Sequence, residues 1–185
     1  LSFTKTATLV FGAYFKLQSF IFMPVFGLNN GMVPIVAYNY GAKQEKRVKK
    51  TIFLTIITAV CIMALGALTF ELFPETLLGF FDADSEMLRV GVPALRIIAT
   101  HFVIAGFCII AGSVCQAIGN PFHSLIISIC RQLVVLLPAA WLLSRTGRLE
   151  LVWLAFPIAE TASLIMSSFF LRKTLRTASA EMNEK

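Results

Sequence analysis

Apolar residues in this chain come in long runs, and the polar residues that interrupt them gather in short joints. The runs cover about 6–40, 51–73, 87–118, 122–143 and 149–171. A helix rises about 1.5 Å per residue and a bilayer hydrocarbon core is roughly 30 Å thick, so about 20 apolar residues suffice to cross it. The pattern therefore predicts an all-α fold, a polytopic transmembrane helix bundle with five spans. At about 50 Å the first run is too long for one straight crossing, and Pro24, Gly27, Gly31 and Pro34 supply kink points inside it. Pro74 ends the second run, and the joint 74–86, with Leu77, Leu78, Phe80 and Phe81, predicts a short interfacial helix. Gly119-Asn120-Pro121 stops the third run. Asn120 is placed to cap the fourth helix, with Pro121 at its first position. Residues 177–185 read as a polar tail expected to fray.

Charge orients the spans. Lys43, Lys46, Arg47, Lys49 and Lys50 form a basic joint, Asp82, Asp84 and Glu86 an acidic one, and the last run closes on Arg172, Lys173 and Arg176. Basic joints face the cytoplasm, so the acidic joint and 144–150 lie outside, and Gly119-Asn120-Pro121 and the C-terminus lie inside. Arg145 and Arg148 run against the rule. The first span then begins outside, which leads us to expect an upstream helix and a larger parent protein; the chain opens on Leu1 without a signal peptide.

Composition excludes the main alternatives. Only 14% of residues are charged and the mean hydropathy is +0.80, against about 25% charged in soluble domains. The net charge of +6 belongs to residues flanking apolar runs, where anionic headgroups attract them, and no nucleic-acid-binding pattern accompanies it. Cys61, Cys108, Cys115 and Cys130 lie inside apolar runs with no CxxC pair, as small buried hydrophobes do. Phosphate-loop, HExxH and GxSxG motifs are absent from the sequence, so nothing predicts an enzyme, a metal site or a resident cofactor.

The stretch Phe20-Ile-Phe-Met-Pro-Val-Phe-Gly-Leu-Asn-Asn-Gly-Met-Val-Pro-Ile-Val-Ala-Tyr-Asn-Tyr-Gly-Ala-Lys43 resembles the eighth helix of multidrug and toxic compound extrusion (MATE) transporters. Phe73-Pro74, Leu77-Leu78 and Phe81, followed by Ala94-Leu95-Arg96-Ile97, resemble that family's link into helix ten. Gln116-Ala117-Ile118-Gly119 and Arg131-Gln132 resemble the end of helix ten and the middle of helix eleven. The resemblance implies that residues 1–176 are a C-terminal lobe, helices eight to twelve of a twelve-helix, two-lobe transporter, with the N-terminal lobe as its partner outside this chain. It further implies a multi-pass protein of the bacterial inner (plasma) membrane. Its activity would be secondary antiport, exporting cationic, aromatic or amphipathic compounds against inward Na⁺ or H⁺ by alternating access. The coupling ion would be the only cofactor.

The residues themselves nominate Glu160. A carboxylate near the middle of a span is costly, about 2.5–3.5 kcal/mol on insertion scales, so it must pair, take up a proton or face water. Pro157 opens the backbone nearby. Arg131 falls at a similar depth in the preceding span, within about 3 Å by helical rise. A structural Arg131–Glu160 pair and a coupling or substrate role for Glu160 are both open, and transport that breaks the pair would reconcile them. His101 is placed to hydrogen-bond substrate or to sit neutral against a neighbour. Gln116 is placed near the inner vestibule. Gly41 is expected to supply the turn that ends the first helix. Arg96 is expected to snorkel or pair with Glu71 or Glu86, and Lys16 to snorkel. The 17 Phe and 6 Met suit either a promiscuous apolar cavity or a lipid-facing surface. Other functions left open are a lipid-linked oligosaccharide flippase of the same superfamily, and a remnant that does not transport.

Overall fold

The computed structural model describes residues 5–183, and among these the regular elements are all helical, without strands. The elements are α1 (Lys5–Gly41), α2 (Glu45–Leu72), α3 (Pro74–Gly79), α4 (Ser85–Ala99), α5 (Phe102–Ala117), α6 (Pro121–Ile129), a π-helical segment (Cys130–Leu136), α7 (Leu137–Ser144), α8 (Leu149–Trp153) and α9 (Ala155–Asn183). Four helical stretches are long and apolar enough to cross a membrane, and α4 with α5 makes a fifth if that bent pair is one span. We call the end carrying joint 43–50 the basic end and the end carrying 82–86 the acidic end.

α1, α2, α5 and α9 pack in that order, with α4 folded over α1 and α2 near the acidic end. Phe102 occupies the centre: its ring meets Phe22 edge-on at 5.5 Å and Phe70 at 5.0 Å. Val10, Val25, Met63, Leu95 and Ile110 are sealed in the same core. The α6–π–α7 stretch lies at the edge, turning Phe122, Leu125, Leu133 and Trp141 outward. Exposed apolar side chains of this kind are what a lipid solvent requires.

Local chemistry explains the joints. Past α1, Gln44 N–H bonds Asn39 C=O at 2.9 Å and Lys43 N–H bonds Tyr40 C=O at 3.0 Å, the paired closure of a Schellman turn. Its left-handed residue is Lys43, at φ 53°, and not Gly41, which stays in the helix. The same closure ends α5, where Asn120 N–H bonds Cys115 C=O at 2.8 Å and Gly119 takes φ 87°. Pro121 opens α6 as expected, but Asn120 makes no side-chain cap. At the acidic end Asp84 caps α4, accepting from Met87 N–H at 2.7 Å. Asp84→Ala is expected to cost about 1 kcal/mol, measured as a lower unfolding midpoint in detergent; an unchanged midpoint would mean the cap is dispensable.

α1 is one continuous helix through Pro24 and Pro34, the kink points named above. Two expectations are corrected. The run 87–118 is not one straight helix: α4 and α5 meet at 47° across Thr100-His101, where Thr100 Oγ1 bonds Ile97 C=O and His101 N–H bonds Ile98 C=O. Residues 177–183 do not fray. They continue α9, because Ala178 and Met182 are buried against the bundle and Asn183 Nδ2 donates to Glu45 Oε2 at 3.3 Å. The Tyr40 hydroxyl donates to Glu181 in the same cluster.

Candidate functional site

Leu154 separates α8 from α9, and Pro157 explains the break: with no N–H it cannot bond the Trp153 carbonyl four residues back. The new helix carries Glu160 inward, and the residue is only 4% exposed. Arg131 reaches it from the π-helical segment, with Nη1 at 3.4 Å from Glu160 Oε2. The pair expected from span depth is present, but it is single-contact and uneven. The Arg131 side chain is 43% exposed and that of Glu160 is 5%. Single π turns tend to occur at functional positions, where they re-aim side chains.

Above the pair, toward the acidic end, lies a cavity of about 620 Å³ whose walls come from α1, α7, α8 and α9. Its aromatic wall is interlocked. Phe11 stacks on Trp153 at 6.3 Å, Tyr14 meets Phe156 edge-on at 5.7 Å, and His101 stacks on Phe156 at 6.0 Å. Tyr14 Oη, His101 Nδ1 and Trp153 Nε1 are buried with no hydrogen-bond partner among the described residues. Buried polar atoms are nearly always satisfied; these three are sealed within the wall behind the cavity surface. Flat aromatic faces over a carboxylate suit a planar, cationic or amphipathic molecule.

The bend at Thr100-His101 is what brings His101 into this wall, at 4% exposure. Gln116 is not there. It lies exposed at the basic end, where Nε2 donates to Ser124 Oγ at 2.8 Å. Pro24, Gly31, Pro34 and Gly41 are also absent from the cavity lining. Arg96 pairs with Glu71 at 3.9 Å, and Lys16 lies 5.7 Å from the Phe81 ring. Sequence reasoning missed Phe11, Tyr14, Gln18, Trp153 and Phe156. Only the spacing of Phe11, Tyr14 and Gln18, one face of a helix at steps of three and four, carried a signal. No cluster of three or more potential metal ligands occurs among the described residues.

The profile of the MatE family matches residues 5–142. The chain is 28% identical over 155 residues to the FAD transporter of Shewanella oneidensis, covering 84% of this chain and 34% of the relative. It is 28% identical over 178 residues to the multidrug export protein MepA of Staphylococcus saprophyticus, covering 94% and 39%. Among solved structures, the MATE multidrug transporter DinF-BH superposes with a TM-score of 0.81 and 38% identity, over 89% of this chain and 37% of that one. The bent form of the Vibrio cholerae MATE transporter VcmN shares the fold, with a TM-score of 0.88 at 20% identity over 97% and 41%. The chain thus spans between a third and two fifths of the length of the curated relatives it matches. A helical bundle with membrane-crossing helices, a profile match over most of its length and a close structural relative agree: this chain belongs to the MatE family of multi-pass membrane transporters.

Proposed function

We propose that this chain acts as one lobe of a secondary antiporter in the bacterial inner membrane, exporting cationic, amphipathic aromatic compounds in exchange for H⁺ or Na⁺ by alternating access. One observation carries the reading: a buried carboxylate, loosely held by a half-exposed arginine, at the base of an aromatic cavity. In this reading Glu160 alternates between Arg131 and a proton or cation. Substrate charge and ion charge then compete for the same carboxylate, and that competition is the coupling. The second lobe of the transporter would close the cavity from the opposite side. Phe11, Phe156 and Trp153 would grip the substrate ring.

A second reading changes the substrate and leaves the fold alone. One relative is an FAD transporter, and a flat ring with an anionic phosphate group would place the ring on the same aromatic wall and the anion on Arg131, whose side chain is 43% exposed.

The test is efflux of ethidium from cells carrying the complete reading frame that encodes this chain, under imposed H⁺ or Na⁺ gradients. Gradient-driven efflux is expected in the wild type, with a loss of about tenfold or more in Glu160→Gln at equal membrane abundance. Undiminished efflux in Glu160→Gln would remove that residue from coupling. No wild-type efflux of ethidium under either gradient would overturn the exporter reading, and flavin nucleotide export would then decide for the second.

A further inference from the structure

A second cavity, of about 280 Å³, lies on the other side of the ion pair, between α1, α5, α6 and α9. The two cavities share three lining residues: Gln18, Arg131 and Glu160. The pair and the amide therefore form a partition that is touched from both faces. The cavity on the acidic side of this partition is aromatic. The one on the basic side carries four hydroxyls, from Ser113, Ser124, Ser128 and Ser163.

Three observations say what this second space holds. Ser163 is 1% exposed; its hydroxyl bonds no oxygen or nitrogen among the described residues and lies beside the Cys108 thiol, so the polar lining is incompletely satisfied. The volume admits several waters at about 30 Å³ each. Finally, the cavity reaches toward the surface at the basic end. Ser124 is three residues past Pro121, only about 5 Å along the helix from its start, and it is bridged by the exposed Gln116. The lining thus runs from the buried carboxylate to Ser124, which one neutral hydrogen bond joins to the exposed Gln116. Facing Glu160 are Arg131 from the π-helical segment, Tyr14 from α1 and Cys108 from α5; among the described residues Arg131 is the cation there.

We propose that this second cavity is an aqueous chamber linking Glu160 to the basic-end, cytoplasmic side, separate from the aromatic pocket, and that it carries water, protons and small monovalent cations but not the organic substrate. With the transport reading above, on which only this consequence rests, a proton leaving the Glu160 carboxyl passes to a chamber water and on toward Gln116. The carboxylate left behind is balanced by Arg131. The Gln116–Ser124 hydrogen bond is the inner latch of the path.

The test measures access and does not depend on export. In the full transporter, with Cys61, Cys108, Cys115 and Cys130 changed to alanine, Ser113→Cys is exposed to Ag⁺, a small monovalent cation that reacts with thiols, in inside-out and right-side-out vesicles, and modification is read as loss of maleimide labelling after unfolding. Modification is expected to be about tenfold or more faster from the cytoplasmic face, since thiol reactivity follows access to water. Adding Gly112→Val should slow it by a similar factor, because a Cβ on Gly112 already stands 3.3 Å from Ser124 Oγ and a larger side chain enters the chamber. Glu160→Gln should leave it unchanged. A Ser113→Cys thiol unreactive from both faces, or reactive mainly from the outer face, overturns the chamber, whatever the efflux assay shows. Fast cytoplasmic modification together with absent gradient-driven export would uphold the chamber and sink the exporter reading alone.

Discussion

Arg131→Ala is expected to destabilise the folded bundle by about 2 kcal/mol, and the double variant Arg131→Ala/Glu160→Gln to recover most of that loss. The asymmetry follows from exposure. Removing one member of a buried ion pair typically costs about 3–5 kcal/mol, because the remaining charge is stranded without water or a partner. Here the stranded group would be Glu160, 5% exposed but lining the chamber proposed above, and the lost arginine is 43% exposed and already partly solvated; both moderate the cost. Glutamine keeps the shape and hydrogen-bonding capacity of the side chain without its charge, so the double variant removes the stranded charge. The measurement is the thermal unfolding midpoint of the purified protein in one detergent, for the wild type, both single variants and the double. An Arg131→Ala variant as stable as the wild type would mean that Arg131 adds nothing to what chamber water and a proton already supply to Glu160. The charge-reversed pair, Arg131→Glu with Glu160→Arg, separates stability from coupling: it should fold, and full export by it would sink a specific coupling role for Glu160.

Gly106→Val should be the most disruptive apolar substitution in the bundle, costing about 3 kcal/mol or more, with Gly106→Ala costing about 1–2. Gly106 is where α5 crosses α2. A Cβ there would stand 2.8 Å from Met63 Cγ and 3.2 Å from the Ala59 carbonyl oxygen. Met63 can swing aside, but a helix carbonyl cannot, so the helices must separate. Phe102, one turn away, would then lose its fit against Phe70. Membrane bundles rely on such close backbone approach because lipid supplies no hydrophobic drive between helices. The readout is the unfolding midpoint together with the fraction of protein that remains monodisperse in detergent. A Gly91→Ala variant is the control: its nearest obstacle is the Leu78 Cδ1 tip at 2.7 Å, which a rotamer change relieves, so its effect should be smaller. Equal effects at the two positions would mean that the α2–α5 crossing is not the critical one.

Much of the architecture was legible along the chain because its causes are local. A crossing needs only the summed hydropathy of about 20 neighbouring residues, and a helix end needs a residue that tolerates a left-handed turn followed by one that cannot continue. Gly119-Asn120-Pro121 satisfies both and ends α5 where expected. The MatE resemblance was legible for a related reason: prolines and glycines at fixed spacings survive as a pattern in a single sequence. The Arg131–Glu160 pair was reachable by counting helical rise in two antiparallel neighbours, because depth in a membrane is one-dimensional.

Tertiary structure alone decided the rest. No residue pattern announces the bend that turns His101 into the aromatic wall, the π-helical segment that aims Arg131, or the continuation of α9 to Asn183. Each exists because a packed neighbour outweighs a weak local preference, as the burial of Ala178 and Met182 outweighs the polarity of 177–183. The aromatic cavity draws on Phe11, Tyr14, His101, Trp153 and Phe156, which come from three widely separated stretches of the chain. Hydropathy assigns each of them only to a span. Which face of its helix each presents, and to what, depends on helix rotation about the bundle axis, and that angle is set by side chains interlocking across helices.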